Sequence, residues 1–171
     1  MFHIYWGLGK GKTSTLNGSA IRALGAGLRV GFYRFLKGRE SHENNILEKM
    51  GISVHLFHFS SKFVIEMNEQ EKKQTQAIIK QGIDDLIANK NNYDVILIDE
   101  FIDLAAKNVA MISEEQMVEV IQKLEPQTRE ILVSGHTHLP KIFALANLIT
   151  YYDSQKHYFT QGVKARKGIE F

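Results

Sequence analysis

The feature that most constrains this sequence is a glycine-rich loop that follows a short apolar run. The run FHIYW (2–6) predicts a strand, the loop GLGKGKTS (7–14) comes next, and a helix is predicted from about Lys12 to Ala26. Loop glycines let consecutive backbone N–H groups point at one phosphate, and a helix N-terminus adds a favourable dipole. A strand, loop and helix in this order predict a nucleotide site.

The loop departs from the usual phosphate-loop pattern G-x-x-x-x-G-K-[ST] at its first position. Counting back from Gly11, Lys12 and Thr13, that glycine would stand where the chain has Trp6, and Gly7 comes one place later. Two interpretations stay open, an impaired phosphate loop and a loop built for a different reaction. We expect the nucleotide to contact the loop residues Gly7, Leu8, Gly9, Lys10, Gly11, Lys12, Thr13 and Ser14.

The rest of the chain alternates strand-like and helix-like segments. Strands are predicted in RVGFYRFL (29–36), ISVHLFHF (52–59), YDVILIDE (93–100), EILVSG (130–135) and LITYY (148–152). Helices are predicted in ENNILEKM (43–50), after the capping pairs Asn68 with Glu71 and Ser113 with Gln116, and in PKIFALAN (140–147). The alternation predicts one α/β domain over residues 1–171, with an open, mostly parallel sheet, helices on both faces and a P-loop NTPase-like (RecA-like) fold.

Composition excludes several classes of protein. The chain has no cysteine, which rules out disulfides, thiolate metal sites and a catalytic thiol. A net charge of +2 gives no argument for a nucleic-acid partner. No apolar run approaches the ~20 residues that a membrane span needs, and no signal peptide is evident. We therefore expect a cytoplasmic protein without a membrane partner.

Acidic and histidine residues follow two of the predicted strands. Asp99 and Glu100 end YDVILIDE, where a P-loop enzyme needs a Mg²⁺ ligand beside the hydroxyl of Thr13. The alternative is that they only solvate a strand end. His136 and His138 follow EILVSG at the same predicted sheet edge. With no third ligand evident, we interpret these histidines as polar rim or helix-cap residues and not as metal ligands.

The basic end KHYFTQGVKARKGIEF (156–171) carries aromatic residues and two glycines between its charges. Such a segment is either a solvated terminus or an ordered strap folded over a site, and composition alone does not choose.

Together these motifs resemble the P-loop type of ATP:corrinoid adenosyltransferase, which acts on cob(I)alamin or cob(I)yrinic acid a,c-diamide. The loop is similar to the family's T-G-N-G-K-G-K-T-T, which also lacks the first glycine. RFLKG (34–38) resembles Q-F-I-K-G, YDVILIDE resembles Y-D-x-V-x-L-D-E, and the end of the chain resembles K-H-P-Y-D-x-G-I-K-A-R-K-G-I-E-[FY]. SAIRALGAG (19–27) is similar to A-A-R-A-x-G-x-G, which sets Arg22 on the family's arginine. The likeness covers essentially the whole chain.

Two segments depart from the family's pattern. FVIEMN (63–68) keeps Phe63 and Glu66 of F-T-W-E-T-Q, a segment associated with the lower face of the corrinoid, but has Ile65 for the tryptophan. In SGHT (134–137), His136 stands for the arginine of T-G-R. By resemblance we expect Phe63, Glu66 and His136 at the ligands. The alternative for Ile65 is a core position, with Phe57 or Phe59 filling the space below the ring.

The resemblance implies a reaction at the ribose 5′-carbon of an ATP that lies reversed in the loop. Co(I) of the corrinoid displaces triphosphate, with Lys12, Arg22 and Glu100 as the catalytic residues and Thr13, Asp99 and Glu100 around Mg²⁺. It also implies a homodimer. Because the sequence has neither cysteine nor a flavin motif, we expect an external, flavoprotein-type reductant to supply Co(I). Two alternatives stay open: a P-loop phosphotransferase or NTPase, and a corrinoid- or nucleotide-binding module that has lost turnover.

Overall fold

A computed structural model describes residues 1–36, 41–58, 60 and 62–170. These residues contain six strands, β1 (Phe2–Trp6), β2 (Val30–Phe35), β3 (Ser53–Phe57), β4 (Val95–Asp99), β5 (Glu130–Gly135) and β6 (Leu148–Tyr151). In the same part of the chain there are five α-helices, α1 (Lys12–Gly25), α2 (Glu43–Lys49), α3 (Glu69–Asn89), α4 (Glu114–Leu124) and α5 (Pro140–Phe143). Short 3₁₀ turns include Val64–Glu66, Ile102–Ala105 and Tyr158–Gln161.

The strands form a sheet in the order β3-β2-β4-β5-β1-β6, and the five neighbouring pairs are all parallel. β5 therefore separates β1 from β4. Because the carboxyl ends of parallel strands share one edge, the loop after β1, Asp99 at the end of β4 and Gly135 at the end of β5 meet there. The predicted α/β class and parallel sheet are confirmed.

Helices cover both faces of the sheet, as predicted. On one face α3, α4 and α5 bury side chains that include Ile79, Leu86, Met117, Ile121 and Ile142. On the other face α1 and α2 bury Leu16, Ala20 and Leu47. All five residues of β4 are buried, which is typical of a central strand covered on both sides.

The two predicted capping boxes are confirmed. Asn68 accepts from the Glu71 backbone N–H at 2.9 Å, and the Glu71 carboxylate accepts from the Asn68 N–H at 2.9 Å. Ser113 and Gln116 exchange the same two bonds at 3.2 and 2.8 Å. These local bonds satisfy N–H groups that a helix start leaves unpaired, so the starts of α3 and α4 follow from the sequence.

The predicted helix 140–147 is shorter in the structure, ending at Phe143. The reason lies at Asn147, whose side chain accepts from Phe2 N at 2.7 Å and whose N–H donates to Phe2 O at 2.8 Å. This pair draws the chain out of the helix and into β6.

Some predicted positions fall outside the described residues, namely Lys37 and Gly38 of RFLKG, Phe59 and Phe171. Within the described residues, no helix combines the length and the apolar character that spanning a bilayer requires.

Candidate active site

The loop between β1 and α1 is held against the end of β6. The Gly9 N–H donates to Tyr152 O at 2.9 Å, and Gly7 N donates to Gly135 O at 3.2 Å. Gly7 has a φ of 115°, and a Cβ there would collide with the Tyr152 carbonyl oxygen. A side chain at this position is thus excluded by both conformation and space. The glycine stands at residue 7 because that is where the β6 backbone passes closest.

Lys12 begins α1 and lies across its own loop. Its Nζ donates to Gly7 O at 2.6 Å and to Gly9 O at 2.9 Å, and only 8% of the residue is exposed. These bonds hold the ammonium group among the loop carbonyls, at the N-terminus of a helix whose partial charge is also positive. An anion in the loop would therefore meet a charge that is already in position.

Thr13 connects the loop to the end of β4. Its hydroxyl donates to Asp99 Oδ1 and Oδ2 at 3.2 and 3.1 Å, and Asp99 is fully buried. Ser134 of β5 donates to Asp99 Oδ1 at 2.5 Å and accepts from the Glu100 N–H at 3.0 Å. Glu100 itself has a φ of 59°, a conformation that is costly for a non-glycine residue and often found at functional sites.

The Thr13–Asp99 pair suits one kind of metal site. The described residues contain no cluster of three or more histidine or acidic side chains that could cage an ion. Mg²⁺ does not need such a cage, because it keeps several waters and binds through one or two carboxylates together with substrate phosphates. A hydroxyl and a buried carboxylate beside a phosphate loop fit that mode. Of the two predicted acidic ligands, Asp99 is the one that contacts Thr13.

His136 follows β5 and is paired with Asp103. Asp103 Oδ1 accepts from the His136 N–H at 2.8 Å, and its Oδ2 lies 2.8 Å from His136 Nδ1. Asp103 is 8% exposed, whereas 48% of the His136 side chain is accessible at the rim of the cleft. The carboxylate thus orients the ring so that Nε2 is left for a ligand.

His138 has a different environment. Its ring packs on Phe143 at a centroid distance of 4.3 Å and on Trp6 at 5.3 Å. The interpretation of the two histidines as rim residues, and not as a metal pair, agrees with this arrangement.

The carboxy-terminal segment lies over the loop. Lys10 Nζ contacts Glu170 Oε1 at 2.6 Å and Tyr158 Oη at 2.7 Å, and Tyr158 also donates to Glu170. The guanidinium of Arg166 lies 4.8 Å from the Tyr158 ring centre, and the backbone N–H of Arg166 donates to Glu170 Oε2 at 2.7 Å. The hydrogen bond from Lys10, with that from Tyr158, holds the pKa of Glu170 well below its ordinary value. Of the two predicted arrangements of this segment, the ordered strap is the one observed.

Loop, strand ends and strap enclose a cleft of about 520 Å³. Ten of the predicted site residues line it, seven from the loop or its helix start and three from the strand ends. They are Leu8, Gly9, Lys10, Gly11, Lys12, Thr13, Ser14, Asp99, Glu100 and His136.

 Gly7 is a further predicted site residue of the loop, and its carbonyl oxygen accepts a hydrogen bond from Lys12 Nζ. A second cleft of about 500 Å³ lies between α3 and α4, away from the phosphate loop.

The structure does not bring three of the predicted residues to this cleft. Arg22 is exposed in the last turn of α1, about 15 Å along the helix axis from Lys12 at the usual rise per residue. Phe63 is 76% exposed beside the Val64–Glu66 turn, and the Glu66 carboxylate accepts from its N–H at 3.1 Å. Within one copy of the chain, a contact between Arg22 and phosphates held by the loop is therefore not supported. Phe63 and Glu66 belong to a surface that is separate from the cleft.

The exposure of Ile65 decides between the two interpretations of the segment FVIEMN (63–68). Ile65 is 75% exposed, so the alternative that placed it in the core is wrong. The buried members of the segment are its neighbours Val64 and Met67. Phe57, the other aromatic residue considered, stacks on Phe35 at a centroid distance of 5.7 Å.

Several cleft residues were not predicted from the sequence. In the cleft they are Ser134 on β5, Asn17 on α1, His42 just before α2 and Glu43 at its start; Asp103 lies beside the cleft, where it contacts His136. Ser134 had a usable signal, because it is a polar residue near the end of an otherwise apolar strand. The residues on α1 and α2 had none, since their helices had to be placed against the sheet first.

Comparison with known proteins identifies a family for the chain. The sequence model of the family described as ATP:corrinoid adenosyltransferase BtuR/CobO/CobP matches residues 1–171. The corrinoid adenosyltransferase of Escherichia coli (strain K12) is 27% identical over 169 residues, covering 98% of this chain and 84% of that protein. Corrinoid adenosyltransferase CobA of Salmonella typhimurium is 28% identical over 175 residues, with the same two coverages of 98% and 84%.

A solved structure supports the fold. Flagellar accessory protein FlaH from Methanocaldococcus jannaschii has a TM-score of 0.55 at 10% identity, covering 88% of this chain and 69% of that one. This likeness concerns the fold alone and, with the strand order and the loop after β1, confirms the predicted P-loop NTPase-like (RecA-like) architecture. Because the sequence match to the family runs from residue 1 to residue 171, the chain belongs to the ATP:corrinoid adenosyltransferase family.

Proposed function

We propose that this protein transfers the 5′-deoxyadenosyl group of ATP to Co(I) of a corrinoid and releases inorganic triphosphate, in adenosylcobalamin synthesis or salvage. The observation that carries the proposal is the joining of Lys12, Thr13 and Asp99 at a phosphate loop in a member of this family. The loop and the strand ends form one continuous cleft, so a single bound ATP can reach all three residues.

The proposed step is a displacement at carbon. Co(I) of the corrinoid substrate supplies the electron pair of the new cobalt–carbon bond, and the bond between C5′ and its oxygen breaks. The triphosphate leaves with the electron pair of the broken bond between C5′ and oxygen. Because the nucleophile belongs to the substrate, the protein needs no base, and its contribution is to position the reactants and to stabilise the leaving charge.

The residues of the cleft divide this work. The loop N–H groups and Lys12 hold the triphosphate, which fits the burial of Lys12 among its own loop carbonyls. Thr13 and Asp99, with Glu100 beside them, hold Mg²⁺, which supplies positive charge to the triphosphate oxygens. His136, oriented by Asp103, takes the place of the family's arginine near the leaving group. Arg22 is left out of this set, because it lies apart from the cleft.

The proposal also covers partners. ATP lies reversed in the loop, so that C5′ faces the corrinoid and the terminal phosphates occupy the loop. Corrinoid binds beside the Phe63–Glu66 surface, in a homodimer, and an external flavoprotein-type reductant supplies Co(I). The support for an external reductant is the absence of cysteine from the sequence, which removes the usual thiol route to electrons.

One observation favours a second candidate function. A phosphate-loop threonine paired with a buried strand-end aspartate is also the arrangement of conventional P-loop phosphotransferases and NTPases. In that case the γ-phosphorus is attacked and ADP forms. A module that binds without turnover would give neither product.

The deciding experiment separates these outcomes by their products. The protein is incubated with ATP, Mg²⁺ and chemically reduced cobinamide or cobalamin, the cobalt–carbon bond is followed by absorption, and the phosphorus products are identified by NMR. We expect triphosphate in equal amount to the adenosylated corrinoid. ADP in step with turnover would overturn the proposal in favour of phosphotransfer, and ligand binding without any product would reduce the protein to a binding module.

A further inference from the structure

We propose that Glu43 recognises the ribose hydroxyls of the nucleotide and that Arg34, which is buried behind it, is a positioning residue for this contact. The inference rests on the proposed function for the presence of ATP in the cleft. It goes beyond that function by assigning the nucleoside half of the ligand to the wall formed by α2.

Arg34 is a charged residue with no exposed surface at all. Its Nη1 donates to Glu43 Oε1 at 2.7 Å, and its Nη2 donates to Asn17 Oδ1 at 2.6 Å. The Asn17 amide closes a triangle by donating to Glu43 Oε1 at 3.4 Å. The guanidinium also lies over the Phe32 ring at 4.3 Å. Both ends of the fork are therefore fixed, and with them the two side chains that reach the cleft.

As a means of stabilising the fold, burying Arg34 in this way is costly in free energy. Moving a guanidinium out of water costs several kcal/mol, and one carboxylate with one amide rarely returns more than that. Nε of Arg34 is in addition buried without a hydrogen-bond partner among the described residues. Such a cost is retained more readily at a site where the geometry of the exposed partner matters.

Glu43 is the exposed partner. Both bonds to it reach Oε1, while 31% of its side chain is accessible and the residue lines the cleft. Burial acts to raise the pKa of Glu43, but the hydrogen bonds and charge of Arg34 outweigh it, so that the pKa lies below its ordinary value. Glu43 is thus an ionised carboxylate, which can accept hydrogen bonds but has no proton to donate. The two bonds to Oε1 fix the orientation of the carboxylate and therefore the direction of Oε2.

The charge of Glu43 identifies the part of the ligand that it contacts. A carboxylate repels phosphate, and the phosphate-binding groups Lys12 and Thr13 mark the other part of the cleft. A pair of vicinal hydroxyls is the donor group of ATP that suits an ionised carboxylate, as in dinucleotide sites where an acidic residue accepts from ribose. Ile46, one turn after Glu43 and 60% exposed in the same cleft, adds an apolar surface suited to the base.

The test is calorimetric binding of ATP, 2′-deoxyATP and 3′-deoxyATP with Mg²⁺ and without corrinoid. We expect the protein to bind ATP about tenfold more tightly than either deoxy analogue, as for a hydrogen bond to a charged group. Glu43→Gln keeps the shape of the side chain. In this variant the affinity for ATP should fall to the affinity for the deoxy analogues, and the affinities for the analogues should stay unchanged. Glu48→Gln, on the same helix but outside the cleft, is the matched control and should retain the preference.

Arg34→Lys separates positioning from packing. Lysine keeps the charge but lacks the planar fork that holds Asn17 and Glu43 together. We expect the preference for ATP over 2′-deoxyATP to fall several-fold, whereas a purely structural pair would shift the unfolding midpoint and leave the preference intact. Equal binding of all three nucleotides by the unmodified protein would overturn the inference alone. Absence of binding of any of them would overturn the nucleotide site on which it rests.

Discussion

The phosphate loop and the segment Phe63–Asn68 are two sites expected to touch the two substrates, and they are built in opposite ways. Lys12 and Asp99 are 8% and 0% exposed and already bonded to their neighbours. Phe63 and Ile65 are 76% and 75% exposed, and only Val64 and Met67 anchor the segment. The ATP side of the protein is thus preorganised by its own chain, whereas the other side presents apolar groups to solvent.

The difference follows from what each ligand demands. A triphosphate needs donors and charge fixed before it arrives, because reorganising them would cost the electrostatic stabilisation that they provide. A flat, largely apolar ring face is recognised by contact area, and exposed aromatic and aliphatic side chains supply that area only when the ligand covers them. The four predictions that follow test this contrast, starting with the largest expected effect.

Lys12→Ala should break the preorganised side. We expect kcat/KM for ATP to fall by about a hundredfold or more, because a buried charge aimed at the triphosphate is lost. Circular dichroism and the unfolding midpoint should remain close to those of the unmodified protein. Lys141→Ala is the matched control, since Lys141 is exposed, pairs with Glu115 and does not line the cleft, and its effect should be far smaller. Normal turnover of Lys12→Ala would refute the assignment of the phosphate loop.

Ser134→Ala tests whether the strand ends are fixed by second partners. The change removes the 2.5 Å bond to Asp99 and the acceptor of the Glu100 N–H. We expect the Mg²⁺ concentration for half-maximal rate to rise about tenfold, in the range typical when a partner of a metal ligand is lost. A titration of rate against Mg²⁺ at saturating ATP measures this. An unchanged half-maximal concentration would mean that Asp99 needs no orientation by Ser134.

Ile65→Trp tests whether the exposed segment Phe63–Asn68 contributes to the corrinoid site. Cobalt loses its lower ligand before it is reduced to Co(I), and an isoleucine competes less well than a tryptophan for the space below the ring. We therefore expect the unmodified protein to use cobinamide several-fold better than cob(II)alamin under enzymatic reduction, and the substitution to narrow this gap. With Co(I) made chemically, the gap should shrink in both proteins.

The control for that comparison is Ile149→Trp. Ile149 is 46% exposed on β6, at the opposite edge of the sheet from β3, so a tryptophan there should leave the choice of corrinoid unchanged. Equal rates with both corrinoids under enzymatic reduction, unaffected by Ile65→Trp, would remove the segment from the corrinoid site.

The smallest expected effect is a pH dependence of the stability of the fold that arises from His55 on β3. His55 of β3 stacks on Tyr33 at 4.4 Å, accepts or donates at 2.9 Å to Tyr93, and lies 3.5 Å from Asp85. Burial, opposed by the charge of Asp85, lowers the pKa of His55 below its ordinary value of 6.5. The unfolded chain therefore takes up this proton more readily than the folded one, and stability is lost as the pH falls below about 6.5.

Urea unfolding at about pH 8 and about pH 5.5 measures this loss, and His55→Gln should reduce the difference between the two conditions. Any change of ATP binding at the loop over the same range should be the same in both proteins, because His55 does not line the cleft. A pH dependence of stability that is identical in both proteins would assign the effect to other groups.

The predictable part of the molecule is the part governed by short-range rules. The helix starts at Asn68 and Ser113 followed from capping spacing, and β4 followed from the near-continuous apolar run YDVILIDE (93–100). The loop and its neighbours Thr13 and Asp99 followed from a motif whose chemistry requires a strand before it and a helix after it. Each of these features is decided by residues that are close together in the sequence, whereas the contact between Thr13 and Asp99 joins two of them across the sheet edge.

The missed features depend on residues that are distant in the chain. The triangle of Asn17, Arg34 and Glu43 needs two helices and a strand to be placed together, and no local pattern announces it. Helix α5 ends early because of a bond between Asn147 and Phe2, 145 positions apart. Arg22 lies apart from the cleft because α1 runs away from the sheet edge, a distance that a matching motif does not measure.

The position of β1 has a consequence for how the protein is made. The first strand pairs with β5 and β6, the last two, and Gly9 of the loop is bonded to Tyr152. During synthesis β1 and the phosphate loop are therefore translated before both of the strands that pair with β1. A nascent or truncated chain that stops before Glu130 carries the whole phosphate-loop motif without the frame that shapes it. We therefore expect such a chain to have little affinity for ATP until β5 and β6 are in place.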